Sequence, residues 1–372
     1  MEFRIDRDTF AKALQKIQGI VEKRNTMPIL SNALLEVNDA TLSVTATDLE
    51  VGMKSLYPVQ VDKPGKITIS AKKIFEIIKE LPDKEIQFTT KENDWVEIRC
   101  GKSKFTIVGL SSEEFPYFPK IGDQQFVAIE SNLLREMIEK TGYAICTDET
   151  KYNLNGVYVR VVEEGGRTLL RMVATDGHRL SIAEKEVSGT FAPELQKGVI
   201  FPRKGIHELK RLTEEGESNL LLGFMDNSVV VRKDQTVIVM RLVDGEFPDY
   251  TRVVPTNNDK RIRVNREDFL HSLKRMAILS SEKFKGIKCD FNGTLLEISS
   301  SNPELGEGRD DLDISYEGPQ LTSRFNARYI LDVLSVLTDA EVELVLKDEM
   351  SPAILQPAGA DDFKAIIMPM RL

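Results

Sequence analysis

FRIDRDTFAKALQKIQGIV (Phe3–Val21), VAIESNLLREMIEKTGYAI (Val127–Ile145) and IRVNREDFLHSLKRMAIL (Ile262–Leu279) share one pattern. Each begins with a short alternating strand, passes a polar residue and continues as an amphipathic helix. Asp6, Ser131 and Asn265 are candidate helix caps, or the caps lie a residue or two away. Phe10, Ala13, Leu14, Ile17 and Val21 form one apolar stripe. Leu134, Met137 and Ile138 form the second. Phe269, Leu270, Leu273, Met276 and Ala277 form the third.

The likeness continues beyond the helices. A strand follows in each copy: SNALLEV (Ser31–Val37), NGVYVRV (Asn155–Val161) and KGIKCDF (Lys285–Phe291). Next come LSVTATDLEVG, LRMVATDGHRL and LEISSSNPELG, in which ATD at Ala46–Asp48 returns at Ala174–Asp176 and becomes SSN at Ser300–Asn302. A second strand and helix follow from Ile67, Val199 and Ser323, and Pro116, Pro248 and Pro369 stand near the three ends. The spacing predicts three domains, 1–121, 122–255 and 256–372. Each has two short helices and roughly eight strands in two similar halves. Strands outnumber helices and strict β-α-β alternation is missing, which predicts an antiparallel α+β fold. The edges of such sheets need partners, and repeats in head-to-tail contact supply them by closing a ring.

The chain ends in FKAIIMPMRL (Phe363–Leu372). So apolar an ending either completes a core or lines a groove for a partner, and methionine suits a groove that accepts several partners.

Composition narrows the class. The 372 residues are 41% hydrophobic and 29% charged, an ordinary globular balance. The opening MEFRIDRD has the alternation of a strand and not the pattern of a signal peptide. No apolar run is long enough to span a membrane. Three distant cysteines build neither a disulfide framework nor a zinc site, which points to the cytoplasm. The net charge of −9 argues mildly against nucleic acid, although clustering of basic residues matters more than their sum.

Motifs for catalysis are missing. GKS at Gly101–Ser103 resembles the end of a phosphate-binding loop, but Val96 stands where that motif needs glycine. A positively charged edge strand is the better reading. His178, His207 and His271 lack metalloenzyme spacing. Asp48 and Asp176 recur at strand ends, where carboxylates form turns. No catalytic residue, cofactor or metal is expected, and the pseudo-symmetric scaffold favours binding.

Basic residues decorate several helices: Lys12, Lys16, Lys23 and Arg24; Lys72, Lys73 and Lys79; Arg203, Lys204, Lys210 and Arg211; Lys274 and Arg275. Each set is either a solvated face or, if the helices converge, part of a patchy basic lining. Such a lining holds a duplex loosely, independent of its sequence.

TMPILSNALLEV (Thr26–Val37), ATDLE (Ala46–Glu50), YNLNGVYV (Tyr152–Val159), ATDGHRL (Ala174–Leu180), VDGEFPDYTRVVP (Val243–Pro255), AILSSEKFKGIK (Ala277–Lys288) and MPMRL (Met368–Leu372) resemble, in order and over the whole chain, the β subunit of bacterial DNA polymerase III, the replicative sliding clamp. The resemblance implies a non-enzymatic processivity factor without a cofactor: a head-to-tail homodimer of three DNA-clamp domains per subunit, each with two helices and two antiparallel sheets. Twelve helices at roughly 10 Å each would line a hole about 120 Å around. It also implies partners: sequence-independent double-stranded DNA, the polymerase III alpha subunit, an ATP-driven clamp loader, and other polymerases and repair proteins that bring short peptide motifs.

Carried onto matching positions, the peptide groove would be lined by Leu154, Thr175, Gly177, His178, Arg179, Leu180, Pro248, Arg252, Val253, Ile366, Met368, Pro369, Met370 and Arg371. The dimer interface would use Phe105 with Ile278 and Leu279. Lys72, Lys73, Lys102 and Lys104 would face acidic residues near Glu304, Glu307, Asp310 and Asp311. DNA contacts would come from Arg24, Lys151, Tyr152, Arg203 and Lys204. Two departures stand out. Tyr152 is followed by Asn153, where some members of the family have a second aromatic residue. The turn ELGEGRDD carries Arg309 within an acidic run.

Overall fold

The computed structural model describes residues 1–21, 27–122, 125–280 and 286–370. Arg24 and Arg371, and with them Lys23 and Leu372, lie outside the described residues.

The first helix, Arg7–Lys16, forms where the sequence places its signals. The Asp6 carboxylate caps it by accepting from the Thr9 N–H at 2.9 Å, and Asp8 and Lys16 complement the helix dipole at opposite ends. Phe10, Ala13 and Leu14 are buried. Phe10 meets Phe3 edge-on at 6.1 Å, and Phe3 stacks on Phe88 at 4.9 Å. In the third copy, Asn265 caps helix Arg266–Leu279 through the N–H groups of Glu267 and Asp268. The second copy differs. Ser131 begins helix Ser131–Gly142, and its hydroxyl donates to the Ser218 carbonyl at 2.5 Å. The buried Lys233 ammonium donates to the same hydroxyl at 2.9 Å, so tertiary partners have taken the side chain from the capping role.

Seven α-helices occur among the described residues. Helices Ala71–Glu80, Arg203–Thr213 and Ala327–Val336 are the expected second members of each pair. The short helix Pro193–Lys197 is additional, opened by proline at its first turn and closed by Gly198. Every strand pairing among the described residues is antiparallel, as expected for an α+β fold. None of the described helices is long and apolar enough to cross a membrane.

Contacts divide the chain into two compact units, Met1–Ser131 with His207–Leu242, and Asn132–Ile206 with Val243–Leu372. The cut passes through the second sequence repeat. Its cause is strand pairing across repeats. In the first unit, Thr236–Arg241, which closes the second repeat, pairs with Val51–Pro58 of the first, from Thr236↔Ser55 to Met240↔Val51. The result is a continuous sheet of 13 described strands instead of separate small sheets. In the second unit, Phe363–Ile367 pairs with Arg179–Glu186, from Phe363↔Ala183 to Ile367↔Arg179, within a sheet of 12 described strands. Both seams join equivalent elements: the strand after an ATD turn and the strand that closes a repeat.

The apolar ending completes a core, the first of its two possible roles. Phe363, Ala365, Ile366 and Ile367 are core, whereas Met368, Pro369 and Met370 remain half-buried beyond the strand. Ile366 packs in one cluster with Val173, Leu180, Ile182, Val345 and Ile354. Ile366→Ala should lower unfolding stability by about 2–5 kcal/mol in urea titration, the range for truncating a packed aliphatic side chain. A loss below about 1 kcal/mol would show that the seam can collapse into the space.

Candidate functional site

The strongest convergence of expected site residues lies in the second unit, around the turn Thr175–Leu180. Asp176 builds that turn: its Oδ1 accepts from the N–H groups of His178 (2.9 Å) and Arg179 (3.0 Å). Gly177 between them has φ 90°, which favours glycine. The equivalent turn in the first repeat is built alike, with Asp48 Oδ1 accepting from Glu50 and Val51. In the third repeat Asn302 Oδ1 accepts from Glu304 N at 2.9 Å. The recurring carboxylates are turn formers, and the third copy keeps the role with an amide.

Arg179 is held from several sides. Its Nε donates to Asp176 Oδ2 (3.0 Å), one terminal nitrogen to Asp332 Oδ2 (2.6 Å) and the other to the Tyr143 carbonyl (2.6 Å). The guanidinium also sits 4.7 Å from the ring centre of Tyr329 and 5.3 Å from that of Tyr143. Burial pushes the Tyr143 hydroxyl well above its ordinary pKa. With its charge engaged internally, Arg179 braces the turn and has little left for a peptide's polar end. Asp332, on helix Ala327–Val336, thus has a structural partner in Arg179. His178 is exposed, and its ring lies nearly parallel to Tyr329 at 6.4 Å.

The turn touches the chain's end through its backbone. The Met368 N–H donates to the His178 carbonyl at 3.0 Å, and the Met370 N–H to the Arg324 carbonyl at 2.8 Å. Arg252, Val253 and Met368 line one cavity of about 380 Å³ together with Val254, Pro255 and Pro352. Leu180 and Ile366 are buried core residues, 3% and 0% exposed, and support this region from inside. Leu154 is also buried, and neither it nor the exposed Pro248 lines the cavity.

Sequence reasoning missed several supporting residues. Tyr158 stacks on Phe247 at 5.0 Å, and Tyr250 meets both rings, which pins the end of the second repeat onto the sheet. The aromatic spacing in GEFPDY was a usable signal. Nothing in the sequence near Lys347 and Pro352 pointed to the cavity they help to line.

The loop with Lys151 and Tyr152 lies beside the same turn. The Lys151 ammonium is 3.7 Å from where a Gly177 side chain would begin. Tyr152 is 60% exposed, with its ring edge against Gly245. Asn153 does not present its amide as an aromatic ring would: it donates to the Glu246 carbonyl at 3.0 Å and ties the two loops together. Arg203 is exposed at a helix start, and its N–H donates to the Asn155 carbonyl. Lys204 is half-buried.

Many of the helix cations are already paired. Lys16 binds Glu215, Lys72 and Lys73 share Glu76, Arg211 binds Glu208 and Arg275 binds Asp310. Lys12, Lys79, Arg203 and Lys274 form no salt bridge among the described residues. The basic faces are thus sparser than the sequence suggested.

Lys104 is also engaged. Lys91, Lys104 and Arg99 all reach the buried carboxylate of Glu97, at 2.8, 3.0 and 2.6 Å, and hold its pKa down at about 2. Lys102 and Phe105 are exposed nearby. Within the second unit, Ile278, Glu304 and Glu307 are exposed. Gly101 has φ 57° in a tight hairpin between Trp95–Cys100 and Ser103–Leu110, which places GKS in a strand turn.

Family models for the DNA polymerase III beta subunit match residues 1–119 (N-terminal domain), 128–249 (central domain) and 251–371 (C-terminal domain). The chain belongs to this family. It is 37% identical to the beta sliding clamp of Pseudomonas putida and 34% identical to that of Escherichia coli, in each case over all of both chains. It superimposes on the sliding clamp of Bartonella birtlesii bound to griselimycin with a TM-score of 0.94, at 32% identity and full coverage of both chains. The Caulobacter crescentus polymerase sliding clamp gives 0.91 at 35% identity, again covering both chains. The architecture is the three-domain clamp fold, and the function is that of a DNA sliding clamp, a non-catalytic processivity factor.

The Glu97 network has a defined pH signature. A carboxylate held below its unfolded value stabilises the fold fully above the ordinary carboxylate range and loses that contribution as pH falls toward the folded pKa. Glu97→Gln should therefore be less stable than the parent at neutral pH, with the gap closing as pH falls toward about 2. Urea titrations across acid pH check this; a gap independent of pH would assign the effect to packing.

Proposed function

We propose that two copies of this chain join head to tail into a ring that encircles duplex DNA and tethers polymerases to it. The observation that carries the proposal is a pair of unpaired strand edges. Among the described residues, Ser103–Val108 has a strand on one side only, because its second neighbour bonds no further than Gly109 and Leu110. Gly306–Asp313 has the same character, its second neighbour meeting only Ile314 and Ser315. Open edges of this length invite a strand from another chain.

Their surroundings are complementary. Phe105 and Val108 are exposed beside the first edge. Beside the second, Ile278 is 74% exposed and Leu279 packs over Gly308. Lys102 and Lys104 on one side would face Glu304 and Glu307 on the other, while Lys72 and Lys73 would lie at the rim. Rim charges set register and encounter rate more than affinity. Asp310 and Asp311 contribute less, since Arg275 and Arg309 already hold them.

Within the ring, the three domains would be 1–121, 122–255 and 256–372, in keeping with the three matched family segments. Lys151, Tyr152, Arg203 and Lys204 would touch DNA, joined by Arg24 from outside the described residues. With so many cations internally paired, affinity would come from encirclement and not from tight local contact. Peptide motifs of the polymerase III alpha subunit, the clamp loader, and other polymerases and repair proteins would dock around Thr175, Gly177, His178, Arg179 and Leu180. Pro248, Arg252, Val253, Leu154, Ile366, Met368, Pro369, Met370 and Arg371 would complete the groove. Three free, buried cysteines suit a cytoplasmic protein.

After loading by a matched clamp loader with ATP, the protein should stay on nicked circular DNA in high salt and leave when the circle is cut. Equal loss from circles and linear DNA, despite a loader whose ATPase responds, would refute encirclement. Ile278→Ala with Leu279→Ala should weaken the dimer by about tenfold or more, since apolar anchors near an interface centre dominate its energy. Sedimentation at nanomolar protein measures this, and an unchanged dimer mass would remove these residues from the interface.

A further inference from the structure

The two seams are equivalent in the repeat pattern, and a cavity accompanies each. Beside the seam of Val51–Pro58 with Thr236–Arg241 lies one of about 450 Å³, slightly larger than the cavity at Met368. Both volumes fall in the range that holds a ligand or a peptide anchor.

Its walls are set by close packing. The Phe118 ring lies 3.1 Å from where a Gly52 side chain would begin, so the glycine lets the connecting segment approach the strand. The turn that follows is fixed by the Lys120 N–H, which donates to the Tyr117 hydroxyl at 3.2 Å. Across the seam, the Leu56 N–H donates to the Gln235 carbonyl at 3.1 Å. Leu56, Phe118, Ile121 and Val237 give an apolar surface, and Leu56 is 37% exposed.

The charge is one-sided. Lys54, Lys120 and Arg232 line the cavity, and among the described residues no aspartate or glutamate does. None of the three cations forms a salt bridge among the described residues, although several cations on the helices do. The Arg232 guanidinium instead stands 4.5 Å from the ring centre of Phe126. Three uncompensated cations around an aliphatic floor repel basic ligands and attract acidic ones. The floor selects an apolar side chain over a phosphate backbone.

We propose that this cavity is a second peptide-docking site, for a short acidic segment that inserts one bulky apolar side chain. The side chain would enter between Leu56, Ile121 and Val237, with flanking carboxylates on Lys54, Lys120 and Arg232. The inference goes beyond the ring reading and does not depend on it.

The test uses the full-length protein and a fluorescent hexapeptide, Asp-Glu-Leu-Phe-Glu-Asp, with a photoreactive leucine. Crosslinks should map to residues 54–56, 118–121 and 235–237, and deletion of Met368–Leu372 should leave them in place. Lys120→Glu, on an exposed turn and so compatible with folding, should weaken binding by about tenfold, and added salt should do likewise. Leu56→Asp should abolish binding while thermal unfolding confirms the fold. A peptide with serine in place of leucine and phenylalanine should not bind. Crosslinks confined to the Met368 region, equal binding of the serine peptide, displacement by an oligonucleotide, or no binding at millimolar peptide would each overturn the proposal. Retention on circular DNA is read separately, so failure here leaves that result standing.

Discussion

Unsatisfied strand edges govern this molecule. A repeat that ends in a β-strand presents a row of N–H and C=O groups that must find partners. Two such rows are satisfied within the chain, where closing strands Thr236–Arg241 and Phe363–Ile367 add to the strands that follow Asp48 and Asp176. Sheet continuity, the division into two compact units and the position of both cavities follow from those pairings. Two further edges, Ser103–Val108 and Gly306–Asp313, remain without a second strand among the described residues. A head-to-tail partner is the economical way to satisfy them.

Charge follows a similar logic of internal compensation. Glu97 is shared by three cations, Glu343 by Arg261 and Arg263, and Arg179 is held by two aspartates and two aromatic rings. Buried charges persist only where partners and hydrogen bonds surround them. The consequence for DNA is a surface with fewer available cations than a residue count suggests. Weak, distributed attraction is compatible with movement along a duplex, whereas dense phosphate contacts would fix the protein in place.

The apolar ending closes one sheet and then runs on beside the turn Thr175–Leu180. Strand pairing buries Phe363–Ile367, and the strand stops where the Met368 N–H reaches the His178 carbonyl. The half-buried Met368, Pro369 and Met370 are thereby held beside the turn that Asp176 builds.

Much of this was legible in the sequence. Apolar stripes at helical spacing gave the core faces of Arg7–Lys16 and Arg266–Leu279, because 3.6-residue periodicity is a local property. Asp6 and Asn265 announced their caps for the same reason, and the repeated ATD turns announced the repeats. The sequence also carried the resemblance that placed the chain in its family. What only tertiary structure decided was the use made of each charge and each edge. Ser131 gave up the capping role to contacts with Ser218 and Lys233, Asn153 tied two loops, Asp332 paired with Arg179, and the seams cut across the repeats. These outcomes depend on groups distant in the chain, and a side chain's nearest partner in space leaves no local mark in its neighbours along the sequence.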